Sequence, residues 1–176
     1  SSDVCSSDLT PHFTLIDVGT HRPAALLPLV QHWAARELTY IEAPVTGNVH
    51  DALHGRLNFL VGGQAVAVDT ARPFLESLGR RVYHFGPVGS GNTAKLAFSL
   101  ILGSMAWSLA QATALLEAER LDVAAFHDVL ALSGLASPMF QRLGQRHLRQ
   151  DFEPGFALAH LQRDLEGVRA EKIGRA

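Results

Sequence analysis

The sequence predicts an α/β fold that gives way to an all-α one. Short apolar runs alternate with helical stretches up to about residue 85. Beyond that point no run reads as a strand. The change falls at a glycine cluster, residues 86–91.

Each element has a local cause. Residues 13–18 are apolar and β-prone and stop at Gly19-Thr20, which reads as a buried strand. Pro23 suits a first helical turn, and the pattern stays helical through Trp33. Residues 38–43 form a second strand, stopped by Pro44 and Gly47. A short helical turn covers residues 49–53. Residues 57–61 are a third strand ending at Gly62-Gly63. Residues 66–78 are a helix closed by Gly79 as a C-cap. Residues 81–85 are a fourth strand. A long helix then runs over residues 92–119. Asp122 caps a helix through Leu132, and residues 134–138 break it. Further helices cover residues 139–150 and 156–170.

Composition bounds the function. The 176 residues are 47% hydrophobic and 18% charged, with a net charge of −2. That is enough apolar material for one large domain or two partial ones, and too much for disorder. The charge balance gives no basic field, so no nucleic-acid partner is expected. A single Cys cannot form an internal disulfide, and the start lacks the pattern of a signal peptide. The expected location is the cytoplasm.

The two ends read as foreign. Residues 1–9 back-translate to a common sequencing-library adapter, and residues 173–176 to the complement of the same stem. The natural segment is therefore expected over residues 10–172, and the lone Cys5 falls outside it.

Four patterns invite chemistry. Residues 96–116 carry no charge and are long enough to cross a bilayer. They also hold Ser99, Ser104, Ser108, Gln111 and Thr113, and no basic bias flanks them. Burial between domains or subunits is expected, with no membrane partner. His50-Asp51-Ala52-Leu53-His54 is a near miss to the H-E-x-x-H zinc pattern. It lacks the Glu base and a third ligand, so no metal is expected. Gly89-Ser90-Gly91-Asn92-Thr93-Ala94 fits the dinucleotide form G-x-G-x-x-A, but no following strand completes a βαβ unit. It can equally be a joint between the halves. Lys95 follows it at the start of an apolar helix, with Ser99 one turn on. Partial burial there would lower the lysine pKa toward the range useful in acid/base chemistry.

In order along the chain, four blocks resemble the β-hydroxyacid dehydrogenase family. The first is Asp17-Val18-Gly19-Thr20 with Pro23. The second is Glu42-Ala43-Pro44-Val45-Thr46-Gly47-Asn48, similar to the family's D-A-P-V-S-G-G. The third, residues 86–95, resembles G-x-x-G-x-G-x-x-x-K and ends on Lys95. The fourth, residues 156–165, resembles F-x-L-x-L-x-x-K-D-L, with Arg163 and Asp164 at its K-D pair.

The resemblance implies that residues 10–88 are the distal part of a Rossmann-like domain. A long helix joins it to a helical domain, residues 89–172. It implies an NAD- or NADP-dependent oxidoreductase acting on a short 3-hydroxy acid, and a homo-oligomer formed through the helical domain. By resemblance Lys95 is the acid/base. Thr46, Gly47 and Asn48 hold the substrate carboxylate, and Ser99 assists. Thr20, Arg163 and Asp164 belong to the cofactor side. Gly19 stands at the family's Ser, Ser99 at its Asn, Phe98 at a second polar position, and Arg163 at its Lys. The family's N-terminal G-x-G-x-x-G unit is not in the sequence, so the chain reads as an internal fragment, inactive alone. Two other readings stay open. One is a reductase of another carbonyl or an imine on the same scaffold. The other is a non-catalytic binding or dimerisation module.

Overall fold

The structure is a computed structural model that describes residues 13–153 and 157–171. Residues 1–9, 173–176 and Phe156 lie outside the described residues.

Among the described residues, five strands form one sheet. β1 (Thr14–Asp17) pairs in parallel with β2 (Thr39–Glu42), Ile16 opposite Ile41. β4 (Asn58–Gly62) lies antiparallel to β2 and to β3 (Val45–Thr46), and parallel to β5 (Arg81–Gly86). β3 was not expected. It continues β2 beyond the turn at Ala43-Pro44, so one stretch of chain borders β4 twice.

The core sits between sheet and helices. Ile41, Ala43, Phe59 and Val61 pack against Val68, Ala71 and Leu75 of α3 (Ala65–Leu78). Fully burying such a side chain stabilises by roughly 1.5–3 kcal/mol. α1 (Pro23–Ala34) starts on Pro23, as expected. α2 (Val49–Leu53) matches its expected span. Gly79 does follow α3, but in an extended conformation rather than the left-handed one of a glycine C-cap. Its lack of a side chain serves close approach instead: a Cβ there would lie 2.5 Å from Leu57 O.

Beyond β5, all the regular elements among the described residues are helices. α4 (Ser90–Ala118) runs for 29 residues. α5 (Val123–Leu132) is capped by Asp122, which accepts from the Ala125 amide at 3.0 Å. α6 (Pro138–Leu148) and α7 (Leu158–Ala170) follow. α7 lies along α4, where Gly103 admits Leu161 and Leu165, and Gly167 admits Leu96.

Within this chain α4 is covered on one stripe only. Leu96, Ser99, Gly103, Leu109 and Thr113 are buried, while Ile101, Trp107 and Leu115 are more than 60% exposed. A helix apolar on every side gives no periodicity to say which face its own chain covers.

Candidate active site

β2 ends in a glutamate where the strand is fully buried. Glu42 has no exposed surface, and no ion pair reaches it among the described residues. Its carboxylate is satisfied by the start of α4. Oε1 accepts from the Gly89 amide at 2.7 Å and the Gly91 amide at 2.8 Å, and Oε2 accepts from the Asn92 side-chain amide. The positive end of a helix dipole favours an anion at this place. The anion at Gly89-Ser90-Gly91 is thus the protein's own. This corrects the dinucleotide reading of that motif, whose two glycine amides are already taken.

Glycines make the room. Gly89 has φ +100°, a left-handed conformation that favours glycine. A Cβ on Gly62 would collide with Glu42 Oε1, and one on Gly91 with Leu60 O.

One turn along α4, Lys95 Nζ donates to Val45 O at 2.8 Å. Burial lowers its pKa from the usual lysine range, while the charge of Asp164 pulls it partly back up. The Phe98 ring centroid lies 5.7 Å from Nζ, and Phe98 is 45% exposed. Ser99, nearly fully buried, donates its hydroxyl to Asp164 Oδ2 at 2.7 Å. Arg163, next to Asp164 on α7, is exposed.

The loop after β1 reaches the same helix. The His21 amide donates to Asn92 Oδ1 at 2.7 Å. Asp17 accepts from the Gly19 amide at 2.8 Å and the Tyr40 hydroxyl at 2.9 Å, and pairs with His21 at 3.1 Å. Burial alone would raise the Asp17 pKa, but the Gly19 amide, Tyr40 and His21 together lower it. Burial, then the Asp17 and Glu42 carboxylates, push the Tyr40 phenol well up. A Cβ on Gly19 would lie 2.6 Å from His21 Nε2, so glycine at this position goes with the Asp17–His21 pair. Thr20, half-buried, lies in this loop.

Thr46 is buried, and its hydroxyl oxygen lies 3.4 Å from the Asn58 side-chain amide. Gly47 has φ +133°, where a Cβ would also meet Leu57 at 2.7 Å. The Asn48 amide donates to Asp51 Oδ2 at 3.1 Å, while Asn48 Oδ1 accepts from the Asp51 amide at 2.9 Å. This capping box fixes the first turn of α2. It also occupies one of the amides expected to face a substrate carboxylate. His54 Nδ1 lies 2.7 Å from His50 O, and no metal-holding group of acidic, Cys and His residues occurs among the described residues.

The four sequence blocks therefore meet around the first two turns of α4. The first arrives through His21, the second through Glu42 and Val45, the third supplies Lys95 and Ser99, and the fourth Asp164. The sequence points to partial burial of Lys95, which the structure shows, but Glu42, Asn92 and Asp51 were not expected as partners. One signal was available for Glu42. A charged residue at the end of an apolar strand needs partners, and a G-x-G helix start offers free amides.

Two family profiles cover nearly the whole chain. Residues 3–86 match the NAD binding domain of 6-phosphogluconate dehydrogenase. Residues 89–173 match the NAD-binding domain of NADP-dependent 3-hydroxyisobutyrate dehydrogenase. A 3-hydroxyisobutyrate dehydrogenase of Pseudomonas aeruginosa is 34% identical over 158 residues, covering 86% of this chain and 53% of that protein. Glyoxylate/succinic semialdehyde reductase 2 of Arabidopsis thaliana is 29% identical over 150 residues, covering 85% and 42%. In fold, a solved 3-hydroxyisobutyrate dehydrogenase of Mycobacterium tuberculosis superposes with a TM-score of 0.84 at 24% identity, covering 94% of this chain and 59% of that one. The chain spans about half the length of the curated relatives it matches.

Proposed function

Because the chain belongs to the β-hydroxyacid dehydrogenase family, we propose that it supplies the proton-transfer half of the active site of an NAD(P)-dependent oxidoreductase. The substrate is a short 3-hydroxy acid, interconverted with its semialdehyde or ketone. The observation that carries this is Lys95. It is a partly buried amine with a lowered pKa, held on a backbone carbonyl beside the loop that resembles the family's carboxylate cradle.

The cofactor is NAD or NADP. The β1–α1 loop fits its nicotinamide end: it lies at the carboxyl end of parallel strands, exposes Val18, and is fastened to the lysine helix through His21 and Asn92. The G-x-G turn at Gly89 does not fit its pyrophosphate, because Glu42 fills it. Bound at the β1–α1 loop, a nicotinamide would supply the hydride chemistry at the carbinol carbon. Lys95 Nζ takes the hydroxyl proton in oxidation and returns it in reduction. Thr46 and Gly47 face the substrate carboxylate. Ser99 acts on the site through Asp164, to which it donates, and Thr20 and Arg163 lie on the cofactor side. Residues 1–176 by themselves transfer no hydride, since no free pyrophosphate turn occurs among the described residues. The enzyme is cytoplasmic and assembles with further copies through the helical half.

Two observations favour a second reading, a different carbonyl substrate. The Asp51 carboxylate sits on the Asn48 amide, and Phe98 offers an apolar face beside Lys95.

One variant tests the assignment. Lys95→Ala in the full-length enzyme is expected to lower kcat by about 10²–10⁴-fold while nicotinamide binding persists. Near-normal kcat refutes the role of Lys95. A parent that binds no nicotinamide in titration points to a non-catalytic module.

A further inference from the structure

We propose that Glu42 is a positioning residue for Lys95: its carboxylate fastens the first turn of α4 to the end of β2 and so fixes where the amine lies. The proposal rests on the reading of Lys95 as the proton carrier. The argument begins with two attachments between the same two segments. Glu42 holds residues 89, 91 and 92, and three residues after Glu42 the Val45 carbonyl holds Lys95. Helical geometry puts Lys95 about one turn beyond Asn92. The first attachment therefore sets the reach of the second.

The clamp is built for this one anion. Glu42 is fully buried without a cation, so all its compensation comes from three N–H donors of a single helix start. Gly62 leaves the space it needs, and Gly91 lets the helix start approach the β4 backbone. Asn92 extends the clamp by accepting the His21 amide, which joins the β1–α1 loop to the same turn. Three segments are thus registered through one carboxylate. The action proposed for Glu42 is through geometry, the attachment that sets where Lys95 lies.

The isosteric variant Glu42→Gln faces an NH₂ group toward N–H donors on at least one side, which breaks the cradle. Freed from the Val45 carbonyl, Lys95 swings into water. The test is pH-dependent competitive acylation of the lysine amine in the full-length enzyme, read by mass spectrometry of the Lys95 peptide. The peptide that carries Lys95 is identified by its own sequence, Asn92-Thr93-Ala94-Lys95-Leu96. In Glu42→Gln the Lys95 labelling midpoint is expected to move up toward the ordinary lysine range. kcat is expected to fall at least tenfold, with the pH profile of kcat/KM moving in step. Should Glu42→Gln not fold, Asn92→Ala removes one of the three bonds and is expected to move the midpoint the same way by less. A folded variant with an unmoved midpoint overturns the proposal, even if its melting temperature falls, because a purely structural role gives that result. The labelling arm stands apart from catalysis. If Lys95→Ala leaves turnover intact, the proton-carrier reading fails while the midpoint still decides the clamp.

Discussion

The Ser99 hydroxyl donates to Asp164 Oδ2 at 2.7 Å, and both residues are almost completely buried. They lie 65 positions apart and join α4 to α7, one turn along α4 from Lys95. By resemblance Ser99 would assist in holding substrate, and Asp164 would orient Arg163. In the fold each is the other's partner. A buried carboxylate needs donors, and a short side chain facing inward on α4 can give one without leaving the helix.

Removing that donor should therefore cost stability. Ser99→Ala leaves one oxygen of Asp164 without its hydroxyl partner, a loss of about 1–3 kcal/mol. Denaturant unfolding measures it. The substrate KM is expected to change by less than threefold. A large rise in KM with unchanged stability would put Ser99 on the substrate instead.

Asp164 also acts on the Lys95 titration. Burial lowers the lysine pKa and the Asp164 charge raises it. Asp164→Asn keeps an acceptor for Ser99 but removes the charge, so only the lowering influence remains. Oxidation needs the neutral amine, so the rising limb of kcat/KM should move to lower pH. Reduction needs the ammonium, so its falling limb should move the same way. A limb that stays in place, or moves up, excludes Lys95 as the titrating group.

Much of the fold was legible because its causes are local. The strand ending at Asp17 and the α5 cap at Asp122 follow from patterns a few residues long. β3 was not legible, because two residues carry no period. The exposure of Ile101 and Trp107 was hidden by the uniform apolarity of α4. The site divides in the same way. The partial burial of Lys95 follows from its place beside a glycine-rich helix start, whereas Glu42 depends on amides nearly fifty positions away. The role of Asp51 was obscured by the His50–His54 pair around it, which drew attention to metals.

Gly62 gives an independent measure of how tightly Glu42 is seated. A Cβ there would strike Oε1, and it would also lie 2.9 Å from Pro87 O. One obstacle is the end of a side chain, but the other is backbone and cannot swing aside. Gly62→Ala should destabilise the protein by about 1–3 kcal/mol, as overpacking does. Thermal or denaturant unfolding reads the change. A neutral result would mean that the Glu42 cradle yields easily.

Asp51 bears on which substrate the loop accepts. Its carboxylate accepts from the Asn48 amide and also lies 3.5 Å from Arg56. An anionic substrate seated at Thr46-Gly47-Asn48 would meet that charge and find the amide occupied. Asp51→Ala removes both obstacles and breaks the capping box of α2. Losing that reciprocal bond, while the Asn48 side chain still caps the residue 51 amide, should cost about 0.5–1.5 kcal/mol of stability. If the substrate carries a carboxylate, its KM should nonetheless fall, since an amide is freed and a like charge is gone. If the natural substrate is a neutral carbonyl, its KM should stay level while stability drops. The two measurements on this one variant separate a hydroxy acid from another carbonyl, because the reciprocal bond is lost in either case and only the carboxylate responds to the missing charge.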